Sequence, residues 1–113
     1  MENKETVTLD FTTQKYLSQI YQEMREKMEW DENYGENTSA LWDVLHGMPY
    51  KGDDFLILRP VRYTGIPYEH NDAFTEHVDR ICRVFQKAHD REILTVKVQY
   101  TDNELDDVSS YQI

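Results

Sequence analysis

The chain has 113 residues, enough for one domain with a modest core and too few for two. Its 12 basic and 22 acidic side chains give a formal charge of −10. Such a surface repels nucleic acid and membrane headgroups and speeds encounter with basic proteins. Cys82 is the single cysteine, which excludes an intrachain disulfide, and no run approaches the roughly 18 apolar residues of a membrane span. The opening Met1-Glu2-Asn3-Lys4-Glu5 lacks the apolar core of a secretory signal, so a reducing cytoplasm is the expected setting.

Residues 6–11 alternate, with Val7, Leu9 and Phe11 to one side and Thr6, Thr8 and Asp10 to the other, which predicts a half-buried strand. Thr12 or Thr13 is then placed to cap a long helix ending near Met28. Tyr16, Leu17, Ile20, Tyr21, Met24 and Met28 form its apolar stripe.

The segment 34–47 reads Tyr34-Gly35-Glu36-Asn37-Thr38-Ser39-Ala40-Leu41-Trp42-Asp43-Val44-Leu45-His46-Gly47. It predicts a glycine turn at Gly35, a cap at Asn37 or Thr38, a short helix, and a left-handed stop at Gly47. At about 100° per residue, Ala40, Leu41, Val44 and Leu45 share one stripe. Ser39, Trp42, Asp43 and His46 share the opposite side. A plain amphipathic helix accounts for the inner stripe. An outward tryptophan beside an aspartate, on so short a helix, is instead a typical anchor pair of a protein interface.

A turn around residues 51–54 precedes Phe55-Leu56-Ile57-Leu58, which is apolar on both faces as a central strand is. Pro60, Gly65 and Pro67 mark residues 59–70 as a loop, where Tyr63 and Tyr68 are candidates for partner contact that no spacing fixes. Asn71 or Asp72 caps a helix to about His89, with Phe74, Val78, Ile81, Cys82, Phe85 and Ala88 facing the core. The last strand sets Leu94, Val96, Val98 and Tyr100 against Thr95, Lys97 and Gln99. Strands alternating with helices imply parallel pairing through crossovers. The expected fold is α/β, a three-stranded parallel sheet in the order 1-2-3 with helices mainly on one face. Residues 1–100 form the domain, and 101–113 are an acidic extension carrying Asp102, Glu104, Asp106 and Asp107.

In literal residues and order, the YGEN turn running into an ALWD helix resembles the signature of barstar-type ribonuclease inhibitors. The match is tight over 34–47 and looser, at the level of element order, over about 5–100. The resemblance implies the same three-stranded parallel fold. It also implies an inhibitor that lays this helix and the preceding loop across the cleft of a small basic ribonuclease, one carboxylate standing in for substrate phosphate. That carboxylate is Asp43. Tyr34, Gly35 and Asn37 fall in the loop that meets the enzyme's rim, and Trp42 lies partly at the interface and partly against the fold. Glu36 also matches, but a carboxylate at a helix N-terminus is favoured by the dipole alone.

Departures from the family pattern fall on the same surface. Ser39 stands where the prototype has a second aspartate, Thr38 replaces a leucine, Asn33 replaces a tyrosine, and Met48 follows Gly47 in place of a tryptophan. Lys87 stands where a glutamate reaches the enzyme. Two acidic contacts are thus missing, and the expected partner is a related nuclease with a different rim rather than barnase itself. His46, one turn beyond Asp43, is a further candidate contact or a solvated side chain.

Enzymatic readings fare poorly. His46, His70, His77 and His89 are scattered over expected loop and helix surfaces, with no basic cluster to bind phosphate. His77 and Cys82 lie five apart on one helix, which is not a usual zinc spacing. No phosphate loop, nucleophile elbow or nucleotide fingerprint occurs. The expectation is a cytoplasmic inhibitor or immunity protein, monomeric when free, without catalytic residues, metal or cofactor. Its alternatives are a barstar-like adaptor for a protein that is not a nuclease, and an acidic structural or dimerising domain.

Overall fold

The computed structural model describes residues 5–30, 35–47, 50–66 and 70–101. Along the chain run β1 (Thr6–Asp10), α1 (Leu17–Met28), α2 (Thr38–Gly47), β2 (Asp54–Arg59), α3 (Asn71–Asp90) and β3 (Thr95–Tyr100). The strands form one three-stranded sheet in the order β1-β2-β3, parallel at both pairings, as the alternation of elements predicts.

Register explains why one face is covered and the other is not. Val7, Phe55 and Val96 lie side by side across the sheet, as do Leu9, Ile57 and Val98. A period of two sends all six to the same face. There they meet Ile20, Met24 and Met28 of α1, Leu41 and Leu45 of α2, and Ile81 and Phe85 of α3. Leu56 and Leu58 point to the open face, between Thr8 and Lys97 and between Asp10 and Gln99, and are only half-buried. Burying each large aliphatic or aromatic side chain of the covered face contributes about 1.5–3 kcal/mol. The helical layer is therefore what makes the sheet stable. Before β2 the chain turns through Gly52 at φ 119°, where an added Cβ would sit 2.8 Å from both Val7 and Phe55. Only glycine fits both that backbone and that space.

α1 begins later than expected. Asp10 Oδ1 accepts from Thr12 N (3.0 Å) and from its hydroxyl, a local turn that competes with helix for the same backbone. The helix starts at Leu17 instead, where the Gln19 side chain reaches back to accept from Lys15 N and Tyr16 N. Tyr16 is consequently 55% exposed and not part of the apolar stripe.

The loop after β2 is more deeply integrated than its prolines suggest. Arg59, expected to open the loop, closes β2 and is 1% exposed. Its guanidinium donates to Asp79 Oδ1 (2.7 Å), Val61 O (3.1 Å) and, through Nε, Pro60 O (2.9 Å), and lies over the Tyr100 ring. Tyr63, considered for partner contact, is buried and donates its hydroxyl to Phe11 O at 2.6 Å. Burial pushes that hydroxyl's pKa up. Tyr68 and residues 102–113 of the acidic extension lie outside the described residues.

Candidate functional site

α2 is fixed at its entrance by Asn37, whose Oδ1 accepts from Ala40 N at 2.8 Å while its carbonyl accepts from Leu41 N. That is the side-chain cap a helix N-terminus needs, and it decides between Asn37 and Thr38, which is the first helical residue. Gly35 does not use a left-handed backbone. A Cβ there would meet the Asn37 amide nitrogen at 2.9 Å, so the glycine makes room for the cap. Gly47 likewise is the last residue of α2 and has no left-handed φ, contrary to the expected stop, and open space surrounds it. Glu36 pairs with Arg25 of α1 at 3.1 Å, tying the loop to its neighbour and giving this carboxylate a structural partner. Asn33, Tyr34 and Met48 lie outside the described residues.

The inner stripe of α2 is as expected: Ala40, Leu41, Val44 and Leu45 are all buried. The outer side divides into two parts. Ser39, Asp43 and Gly47 are exposed, and Asp43 has neither a hydrogen bond nor an ion pair among the described residues. Trp42 and His46 are half-buried and lie on one another, ring centroids 3.8 Å apart and planes 25° apart. His46 Nδ1–H donates to Trp42 O at 2.9 Å, and Nε2 is buried with no partner among the described residues. His46 is therefore not a solvated side chain. It is a prop for the indole, whose ring also has the Arg91 guanidinium 5.7 Å from its centroid.

Trp42 and Thr38 face α3 across a groove whose other side is Arg80, Arg83, Val84 and Lys87. The fold thus gathers Thr38, Trp42 and Lys87 at one place, with Asp43 on the adjoining outer side of the same helix. Arg80 and Arg83 of α3, and Arg91 at its C-cap, carry no carboxylate signal, although their spacing is visible in the sequence.

The other histidines are also less superficial than expected, His70 alone being exposed. Arg80 can only donate, so its 3.3 Å contact makes His77 Nδ1 the acceptor. His77 Nε2–H then donates to the Tyr21 hydroxyl oxygen at 2.8 Å. Burial, and then the charge of Arg80, lowers the His77 pKa. His89 Nδ1 accepts from Val96 N and fastens the end of α3 to β3. Cys82 lies against Arg59 rather than His77, and burial raises its thiol pKa, which is the condition of an inert cysteine. Among the described residues no three His, Cys, Asp or Glu side chains are grouped to hold a metal, and no helix is long and apolar enough to cross a membrane.

The outward side of α2 thus carries a carboxylate without a partner among the described residues, beside a propped indole. No curated protein matches the chain. The family described as Barstar (barnase inhibitor) matches residues 4–100, a span holding all three strands, all three helices and the whole 34–47 segment. The chain belongs to the barstar family.

Proposed function

We propose that the protein inhibits a ribonuclease by occluding its catalytic cleft, with Asp43 occupying the position of a substrate phosphate. The observation that carries this reading is the contrast between Asp43 and its surroundings. Among the described residues the carboxylate is exposed and unpartnered, on a helix whose cap and inner stripe are satisfied within the fold and whose indole rests on His46. A carboxylate held this way loses little freedom on docking. In a pocket of arginines or a protonated histidine it forms charge-assisted, partly bidentate hydrogen bonds. The fit must be close, because a desolvated carboxylate that finds no partner costs several kcal/mol.

Around that centre, Gly35, Asn37, Thr38 and Ser39 approach the rim, and Asn33 and Tyr34, which precede them in sequence, are further contacts. Trp42 supplies apolar contact area, while His46 acts through it. Gly47 leaves the far end of the helix uncrowded, and Lys87 meets the partner from α3. The protein is not itself an enzyme in this reading. It acts as a monomer in the cytoplasm of a cell that makes a small basic ribonuclease or a toxin with a nuclease domain.

The deciding experiment is capture from cells expressing candidate nucleases, followed by titration of the captured enzyme's activity. Stoichiometric loss of activity with the parent chain, absent with Asp43→Ala at an unchanged unfolding midpoint, is the expected result. Inhibition that survives the substitution rejects the phosphate-mimic role. Capture of a protein without nuclease activity favours an adaptor instead.

A further inference from the structure

The chain has a net charge of −10, yet its α3 face beside α2 is cationic. Arg80, Arg83 and Lys87 follow one another at i, i+3 and i+7, an arc of roughly 60° on α3, and Arg91 caps the end of that helix. All four are exposed. Glu76, one turn before Arg80, is the acid that shares this arc. The ion pairs among the described residues engage Arg25, Lys27, Lys51, Arg59 and Arg62 instead. Among the described residues Arg80 contacts the neutral His77 ring at 3.3 Å, and Arg91 the face of Trp42.

Resting on the inhibitor reading, we infer that this stripe is the specificity half of the same interface and receives an acidic rim next to the partner's cationic pocket. With Glu76 the one acid on their arc, these like charges repel one another, and a complementary patch on a partner relieves that repulsion. The two helices then present opposite signs side by side, Asp43 on α2 and the stripe on α3. A partner must match both signs in order, which fixes its orientation and excludes enzymes that are basic throughout. Protein carboxylates are favoured over nucleic acid as the occupant. A polyanion must come close to Asp43 and to a surface of strongly negative net charge, whereas a folded partner can offer both signs in register.

The test uses barnase and a set of barnase variants in which arginines and lysines on the rim, outside the catalytic pocket, are changed to glutamate. At low salt, at least one rim-reversed enzyme is expected to bind the parent chain about tenfold faster than barnase does. That advantage should shrink at ~1 M salt, where the Debye length is about 3 Å. The double variant Arg83→Glu with Lys87→Glu, both at exposed positions, should keep the unfolding midpoint and reverse the preference. No preference for any rim-reversed enzyme, including no binding to any, overturns the inference. So does a single-stranded oligoribonucleotide retained by the parent and not by the double variant, which assigns the stripe to nucleic acid. Barnase inhibition that is lost in Asp43→Ala but indifferent to the double variant removes the stripe and leaves the inhibitor reading standing. Inhibition of no enzyme, with Asp43→Ala the same as the parent, removes both.

Discussion

The outer side of α2 and the far end of β2 each carry a charge, and they treat it in opposite ways. Arg59 is enclosed, with every direction of its guanidinium answered by Asp79, two loop carbonyls or an aromatic face. Asp43 is exposed and has no partner among the described residues. A buried charge with satisfied partners is part of the architecture, and its removal is felt by folding. An exposed charge without partners contributes little to folding, and its removal is felt only when something docks. A charged residue's role is therefore read from its partners.

The largest expected effect tests the architectural side. Arg59→Ala empties a buried site and takes the Nε donor from Pro60 O, at a cost of about 3 kcal/mol. Asp79 keeps the cost towards the low end, because its carboxylate is 42% exposed and returns to water. Thermal unfolding should shift down by roughly 15 °C, and Arg59→Met, which keeps the stem, by less. Next comes Asp43→Asn, which keeps the side chain's shape and removes its charge. Inhibition should weaken by about 30-fold, the ~2 kcal/mol threshold of an interface hot spot, with the unfolding midpoint within about 1 °C of the parent. An unfolding change in the second variant, or none in the first, erases the contrast between the two regions.

Asn37→Ala lies between them. It removes the cap that orients α2, so about 1 kcal/mol of stability should be lost together with part of the inhibition. His77 adds a pH dependence. Its folded pKa lies below the ordinary 6.5, so below that pH the unfolded chain takes up a proton that the native state resists. The unfolded state then binds more protons, and stability falls as pH drops through 6.5 and is fully present above it. Chemical denaturation of the parent and of His77→Gln at pH 7.5 and 5.5 should show a flatter profile in the variant. The smallest effect belongs to Glu36→Ala, which breaks the partly exposed pair with Arg25. At most ~0.5 kcal/mol should be lost, and a larger loss would make Glu36 more than a surface tie.

Sheet order and helix faces were legible because they depend on periodicity alone. Val7 and Leu9, Phe55 and Ile57, Val96 and Val98 alternate in sequence and are aligned by register in the fold. Element starts were less legible. Whether Thr12 begins a helix depends on the competing Asp10 carboxylate, and periodicity does not register a local turn of that kind. Arg59 was illegible for a different reason. A charged residue before a proline reads as the start of a loop, and the partner that allows its burial, Asp79, arrives on α3. The site was legible in its outer face and its cap. It was not legible in the Trp42–His46 stack, which depends on side-chain rotamers, nor in the groove, which forms only where α2 and α3 come together.

Trp30 and Trp42 are the two tryptophans of the chain, and they occupy contrasting places: one is 4% exposed beneath Tyr21, the other lies half-open on α2. Indole fluorescence responds to the polarity around the ring, so Trp30 emission follows unfolding and Trp42 emission follows whatever covers its helix. A Trp30→Phe protein leaves a single, built-in optical reporter of complex formation, with no dye attached.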